Sequence, residues 1–194
     1  MTQQEKKEYS TNTLKRIDEW IVDCDLKTSI LMAFTSVIIT FIFTSEYIIK
    51  TLVIIFKDFI EYWRMHTGVF CFSRLIIIGF FITAYVFFID GLYSLYLVLK
   101  AKTKATDITS QNGIMSDSFT YFNHIQSINY LDYKNKIDNM SEEELTEDYL
   151  SQIYINSVRA EEKFNCYNKA LKRILIGLFF LISFILLVVI ENSK

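Results

Sequence analysis

The chain has 194 residues, a formal net charge of −2 and a hydrophobic fraction of 52%. That charge balance leaves no general nucleic-acid footprint. Three scattered cysteines and two histidines argue against a structural metal site. Proline is absent, so helices can run long without a rigid break. The hydrophobic fraction alone suits a soluble domain. Its clustering does not: three long apolar runs point to an integral membrane protein.

Residues 1–10 are polar and are expected to fray. No apolar core or small-residue cleavage site marks a signal peptide there, and Cys166 is not in a prenylation box. From Thr11 a helical pattern begins, with Leu14, Ile17, Ile21 and Cys24 on one stripe. Trp20 beside it suits either the headgroup belt or a contact with a later soluble segment. Residues 1–28 thus form a helix leading into a first span over 29–46. Residues 47–72 follow as a helix extension and extracytoplasmic loop, with Phe59, Tyr62 and Trp63 resembling an interfacial turn. Lys50 and Lys57 leave open a re-entrant or interfacial helix over 47–63. The second span is expected over 73–99.

Two sets of polar residues lie inside the spans. Ser36, Thr40 and Thr44 recur every four residues on one helix face. Such a face packs helices together or lines a wet path in an oligomer. Asp90, seven residues after Thr83, is costly at depth unless it meets a partner, water or the headgroups.

Residues 100–171 form a polar insert. A linker is expected over Thr103–Gly113, a short helix from Asp117 through Ile128, and another helical turn at Tyr130–Lys134. Ser141 with Glu144 reads as a capping box, and Glu142 and Glu143 add charge at the positive end of the dipole. Beyond it Leu145, Tyr149, Ile153 and Asn156 form a stripe with Leu150 and Tyr154 alongside. No break follows, so one helix of about 50 residues should continue through the third span, 172–190. Seventeen uncharged residues run from Ile174 to Ile190. The insert cannot bury a large core alone and should pack on the N-terminal helix, with a neighbouring subunit completing it. Lysines and arginines cluster on the side of the N-terminus and insert, from Lys15 and Arg16 to Lys172 and Arg173. The positive-inside rule makes that side cytoplasmic. The fold class expected is an all-α membrane protein with three transmembrane helices and a small helical cytosolic domain between the second and third.

No nucleophile–base set, paired catalytic carboxylates, Walker loop or dinucleotide glycine pattern is present. Two local clusters stand out. Asp25 and Ser29 share a helix face just before the first span, with Lys27 on another. Gln152, Asn156, Arg159 and Lys163 form a polar ridge before the third. That ridge suits an anionic nucleotide or an ordinary wet face. The same residues fit a structural or assembly protein of the membrane, or a small channel or transporter subunit. A membrane enzyme is the weaker class.

A resemblance to a known family runs through these motifs in order. Trp20-Ile21 followed by Asp25-x-Lys27-x-Ser29 resembles the N-terminal signature of the Pycsar transmembrane effector family. Tyr121-Phe122-Asn123-His124-Ile125, the acidic start at Glu142–Leu145, and Gln152-Ile153 through Asn156-Ser157 to Lys163 are similar to its later elements. The resemblance covers about three quarters of the chain, with matching order along a polar-to-apolar helix pattern. It implies a bacterial antiviral defence effector, not an enzyme, in the inner membrane with its N-terminus cytoplasmic. A partner pyrimidine nucleotide cyclase would supply the ligand, cyclic CMP or cyclic UMP, and no other cofactor is implied. The lipid bilayer and further copies of the chain are the other expected partners; nucleic acid is not. On this reading Lys27, Arg159 and Lys163 meet phosphate, and Gln152, Asn156 and Ser157 meet base or sugar. Asp25 and Ser29 position them, and Ser36, Thr40, Thr44 and Asp90 belong to the membrane-disrupting output.

Overall fold

The computed structural model describes residues 1–65, 72–100, 113–115 and 118–192. Most of the expected 103–113 linker, the helix start at Asp117, and His66, Cys71, Lys102 and Lys104 lie outside the described residues. The secondary-structure elements of the described residues are all helices: α1 (Gln3–Thr44), α2 (Glu46–Met65), α3 (Phe72–Leu99), α4 (Phe122–Ser127), α5 (Tyr130–Asn139) and α6 (Glu142–Asn192). Three of these, α1, α3 and α6, are long and apolar enough to cross a membrane. They make this a multi-pass, all-α membrane protein with a small helical region between the second and third such helices.

The polar N-terminus is helical from Gln3. Thr2 and Glu5 form a reciprocal capping box, with Glu5 N–H donating to Thr2 Oγ1 at 3.3 Å and Thr2 N–H to Glu5 Oε2 at 2.7 Å. α1 therefore starts at Gln3. Its buried positions keep a seven-residue period. Ser10, Ile17 and Cys24 form one row, and Thr28, Thr35 and Ile42 form the other. Each row gives α1 one buried edge within its unit, the spacing of a helix packed along a neighbour.

The chain divides into two compact units. The first comprises Met1–Leu26 and Leu99–Asn165. In it α1 and α6 lie side by side and run parallel: Lys7 pairs with Glu142 at 3.1 Å, Asn156 donates to Asp18 at 3.0 Å, and Lys163 to Asp25 at 2.5 Å. Both chains advance together through these contacts, which only a parallel pair allows. Ser141 caps α6 as its sequence indicated. Glu144 N–H donates to Ser141 Oγ, and Ser141 N–H donates back to Glu144 Oε2. These bonds to Ser141 hold the Glu144 carboxyl below its ordinary range. The buried face of α6 here is not the Leu145–Tyr149–Ile153–Asn156 stripe, which is only half-buried. It holds Thr146, Asp148, Ser151, Gln152 and Ile155. Asp148 and Ser151 occupy core positions because Met115, Phe119 and Thr120 supply their partners, while the Thr146 hydroxyl donates to the Glu142 carbonyl of its own helix. Met115 N–H donates to Ser151, and Phe119 N–H and the Thr120 hydroxyl both donate to Asp148 Oδ2.

The second unit comprises Lys27–Val98 and Cys166–Lys194. α3 and α6 are antiparallel in it, since Asp90 pairs with Arg173 while Arg74 reaches Glu191. Small residues set their spacing. A Cβ on Gly177 would stand 3.2 Å from the Ala84 carbonyl oxygen, and one on Gly91 2.6 Å from Ile174 Cγ1. Such close approach is how helices gain dispersion contact where solvent is as apolar as they are. Phe88 and Phe184 are fully buried, and Phe80 meets Phe180 edge-on at 5.3 Å. The first span's helix does not simply extend. α1 stops at Thr44, Ser45 is non-helical, and α2 begins at Glu46. Ile48 and Ile55 of α2 join the same apolar cluster as Ile77 of α3 and Phe184 and Val188 of α6.

Candidate functional site

The first unit gathers much of the polar chemistry the sequence offered. Its frame is the parallel α1–α6 pair. Asp18 and Asp25 are seven residues apart on α1; their partners Asn156 and Lys163 are seven apart on α6. Equal spacing on parallel helices brings both pairs into register along one edge. The Asp25–Lys163 contact therefore joins the two clusters that are far apart in sequence. Asp25 meets Lys163 and so does more than position its neighbour Lys27.

The remaining ridge residues are placed differently. Gln152 is buried, at 6% exposure, and belongs to the packed interior of the unit. Ser157 is exposed, and its hydroxyl donates to the Ile153 carbonyl of its own helix at 2.7 Å. Arg159 lays its guanidinium over the Tyr121 ring, 5.3 Å from the centroid. Its Nη2 is buried without a hydrogen-bond partner among the described residues. A buried guanidinium nitrogen lacking an acceptor is costly and is chemically suited to an anion. Lys27 and Ser29 are exposed on α1 and belong to the second unit.

A groove of about 670 Å³ runs along α1, lined by Thr11, Leu14, Lys15, Asp18, Val22, Leu26 and Tyr149 of α6. Its size falls in the range of small-molecule sites. Burial raises the Asp18 carboxyl above its ordinary range, and the hydrogen bond from Asn156 offsets part of that rise. A second cavity of about 540 Å³ lies among Met115, Phe119, Lys136 and Glu144, with the Lys136 ammonium 4.2 Å from the Phe119 centroid. The sequence names Tyr121 only as part of a family element, and Asp18 and Asp148 not at all, so none of the three is expected at the site. The seven-residue match of Asp18–Asp25 to Asn156–Lys163 was the available signal for Asp18; Tyr121 and Asp148 depend on how Phe119, Thr120 and Tyr121 approach α6, which leaves no periodic trace.

In the second unit, Asp90 meets Arg173, so its partner is on the third spanning helix. Ser36, Thr40 and Thr44 are exposed, and each hydroxyl donates to the carbonyl four residues earlier, at 2.8, 2.9 and 2.9 Å. This back-bonding satisfies hydroxyls in apolar surroundings without a second helix.

Residues 9–190 match the family model described as the Pycsar effector protein domain. A Pycsar effector protein of Gulbenkiania mobilis is 32% identical over 171 residues, which cover 87% of this chain and 86% of that one. No solved structure matches the chain. Because the match runs from within α1 almost to the end of α6 and takes in both units, the chain belongs to the Pycsar effector family.

Proposed function

We propose that this chain is a non-catalytic effector of antiviral defence that senses a cyclic pyrimidine mononucleotide, cyclic CMP or cyclic UMP, and impairs the bacterial inner membrane. Family membership supports the class of function. The observation that carries the sensing reading is the Asp25–Lys163 contact, which unites the pre-span cluster with the α6 ridge. A phosphate competes with Asp25 for Lys163 and takes the vacant Nη2 of Arg159, while the Tyr121 ring and Asn156 serve base or sugar. Gln152 and Ser157 complete the proposed set.

Output follows from helix continuity. α6 is one helix from Glu142 to Asn192, and α1 one helix from Gln3 to Thr44. Ligand that parts Asp25 from Lys163 changes how the parallel helices are held, and each continues into the apolar second unit. Asp90 and the Ser36–Thr40–Thr44 face belong to the part that rearranges. The N-terminus and insert face the cytoplasm on the charge rule, where a pyrimidine nucleotide cyclase supplies ligand, and several copies act together.

Isothermal titration of cyclic CMP and cyclic UMP into the detergent-solubilised full chain tests the sensing. One of them gives a saturable heat, and Lys163→Ala weakens it at least tenfold while Lys169→Ala leaves it unchanged. No heat and no thermal shift with either nucleotide overturns the sensing reading.

A further inference from the structure

Two layers of charge cross the second unit. In one, Asp90 of α3 meets Arg173 of α6. In the other, Arg74 of α3 pairs with Asp58 of α2 and reaches Glu191 of α6 at 3.7 Å, and Ser73 donates to Glu191 at 3.3 Å. On α3 the layers are bounded by residues 74 and 90, on α6 by 173 and 191. At about 1.5 Å per residue these intervals are roughly 24 and 27 Å. The hydrocarbon core of a bilayer is about 30 Å thick. Residues 75–89 and 174–190, between the layers, carry no charge. The layers therefore have the spacing and the clean interior of the two edges of a hydrocarbon slab.

α2 does not have that clean interior. Asp58 fixes its level at one layer, and Ile48 and Ile55 pack in the apolar cluster between the layers. The end of α1 sits at the same depth, because Phe43 meets Tyr85 edge-on at 6.0 Å. Counting back from Asp58, Lys50 lies about 12 Å and Glu46 about 18 Å into the slab. They pair with each other at 2.9 Å, with side chains 74% and 83% exposed. Charged groups at that depth facing lipid are expensive, and where they occur they face protein or water.

We propose that this face of α2 is a contact between copies of the chain inside the bilayer, with Glu46 of one copy set against Lys50 of the partner subunit. A second copy is the occupant because the patch is complementary to itself: one acid and one base, a helical turn apart. Exposed Ile49, Val53 and Ile60 flank the pair and supply the apolar packing around it. The contact puts a polar layer inside the hydrocarbon of the assembly. It rests on the membrane-output half of the proposed function and not on nucleotide sensing.

The test uses the full chain with Cys24, Cys71 and Cys166 replaced by serine, in phosphatidylethanolamine–phosphatidylglycerol vesicles without nucleotide. Lys50→Cys is exposed to a membrane-impermeant maleimide and, separately, to copper–phenanthroline oxidation; Phe179→Cys, exposed on α6, is the control. Cross-linked dimer at position 50 but not at 179, with slow maleimide labelling at 50, supports the contact. Rapid labelling places α2 outside the slab and overturns it, and so does shielding without cross-linking, which means lipid. Charge reversal guards against misfolding. Lys50→Glu reduces the sedimenting mass in detergent to that of one 22.9 kDa chain, and adding Glu46→Lys restores the oligomer. An unchanged mass in Lys50→Glu also overturns the proposal.

Discussion

Asp148 offers a sharp test of how the insert is held. It is fully buried, and its Oδ2 accepts from Phe119 N–H at 3.1 Å and from the Thr120 hydroxyl at 3.2 Å. Its Oδ1 has no hydrogen-bond partner among the described residues. Asp148→Ala removes both bonds and strands the Phe119 N–H in the interior. Hydrogen bonds to a charged acceptor contribute about 1.5–3 kcal/mol each. Thr120 is exposed and recovers part of its bond from water, so the loss is about 2–4 kcal/mol. Asp148→Asn keeps an oxygen where Oδ2 stands and turns the unpartnered oxygen into a neutral amide, so it costs less than about 1 kcal/mol. Hydrogen exchange read on peptides from 118 to 128 measures this directly. Protection falls about 30- to 700-fold in the alanine variant, at a factor of ten for each 1.4 kcal/mol, and less than about sixfold in the asparagine variant. Equal losses in the two variants would refute the assignment, because an oxygen acceptor would then not be what Asp148 supplies.

Two further outcomes bear on packing and on pH. Gly177→Leu meets the Ala84 backbone oxygen, which cannot rotate away, and lowers thermal stability of the solubilised chain by about 1–3 kcal/mol. Gly79→Leu, with nothing within 4 Å of its Cβ position, leaves the melting temperature nearly unchanged; a comparable drop in both would deny the close α3–α6 approach. Asp18 has a raised carboxyl, so its contribution is full below the ordinary aspartate value of 3.8 and is lost as pH rises through the raised value. Asp18→Asn therefore becomes more stable relative to wild type between pH 4 and pH 7, read by thermal melts across that range. Glu144 is lowered and has the opposite sign: its contribution is present above 4.5 and disappears as pH falls through its folded value. Glu144→Gln should therefore lose its disadvantage in acid.

The α6 reading shows why some of this fold was legible and some was not. The capping box at Ser141 and the uninterrupted run to Ile190 are local signals, and α6 follows them from Glu142 to Asn192. The same helix hides its buried face from a hydrophobic count. Its deepest positions include Thr146, Asp148, Ser151 and Gln152, and the backbone donors that satisfy Asp148 and Ser151 lie some 30 residues away (Phe119 to Asp148, Met115 to Ser151). Polar residues become interior when a distant backbone offers donors, and no periodicity in α6 itself encodes that. Asp90 follows the same logic. Its depth in an apolar run made a partner necessary on energetic grounds, yet the candidates were every cation of the chain. Arg173 is selected only by the antiparallel register that Gly91 against Ile174 and Gly177 against Ala84 allow.

The candidate site was legible as two clusters and not as one place. Heptad arithmetic joins them: Asp18 and Asp25 repeat with the period of Asn156 and Lys163, so a parallel pairing that satisfies one contact satisfies the other. A ligand able to break one therefore works against both. On the proposed reading, that coupling makes the parallel pair a better sensor than two independent contacts, because a bound phosphate acts on a single register of two helices. It also sets the limit on the response: a ligand shifts this register only by as much as it binds the parted state better than the joined one. Asp25→Asn, which weakens the joined state without touching Lys163, should on this reasoning tighten nucleotide binding, and a looser affinity in that variant would mean that Asp25 itself contacts the ligand.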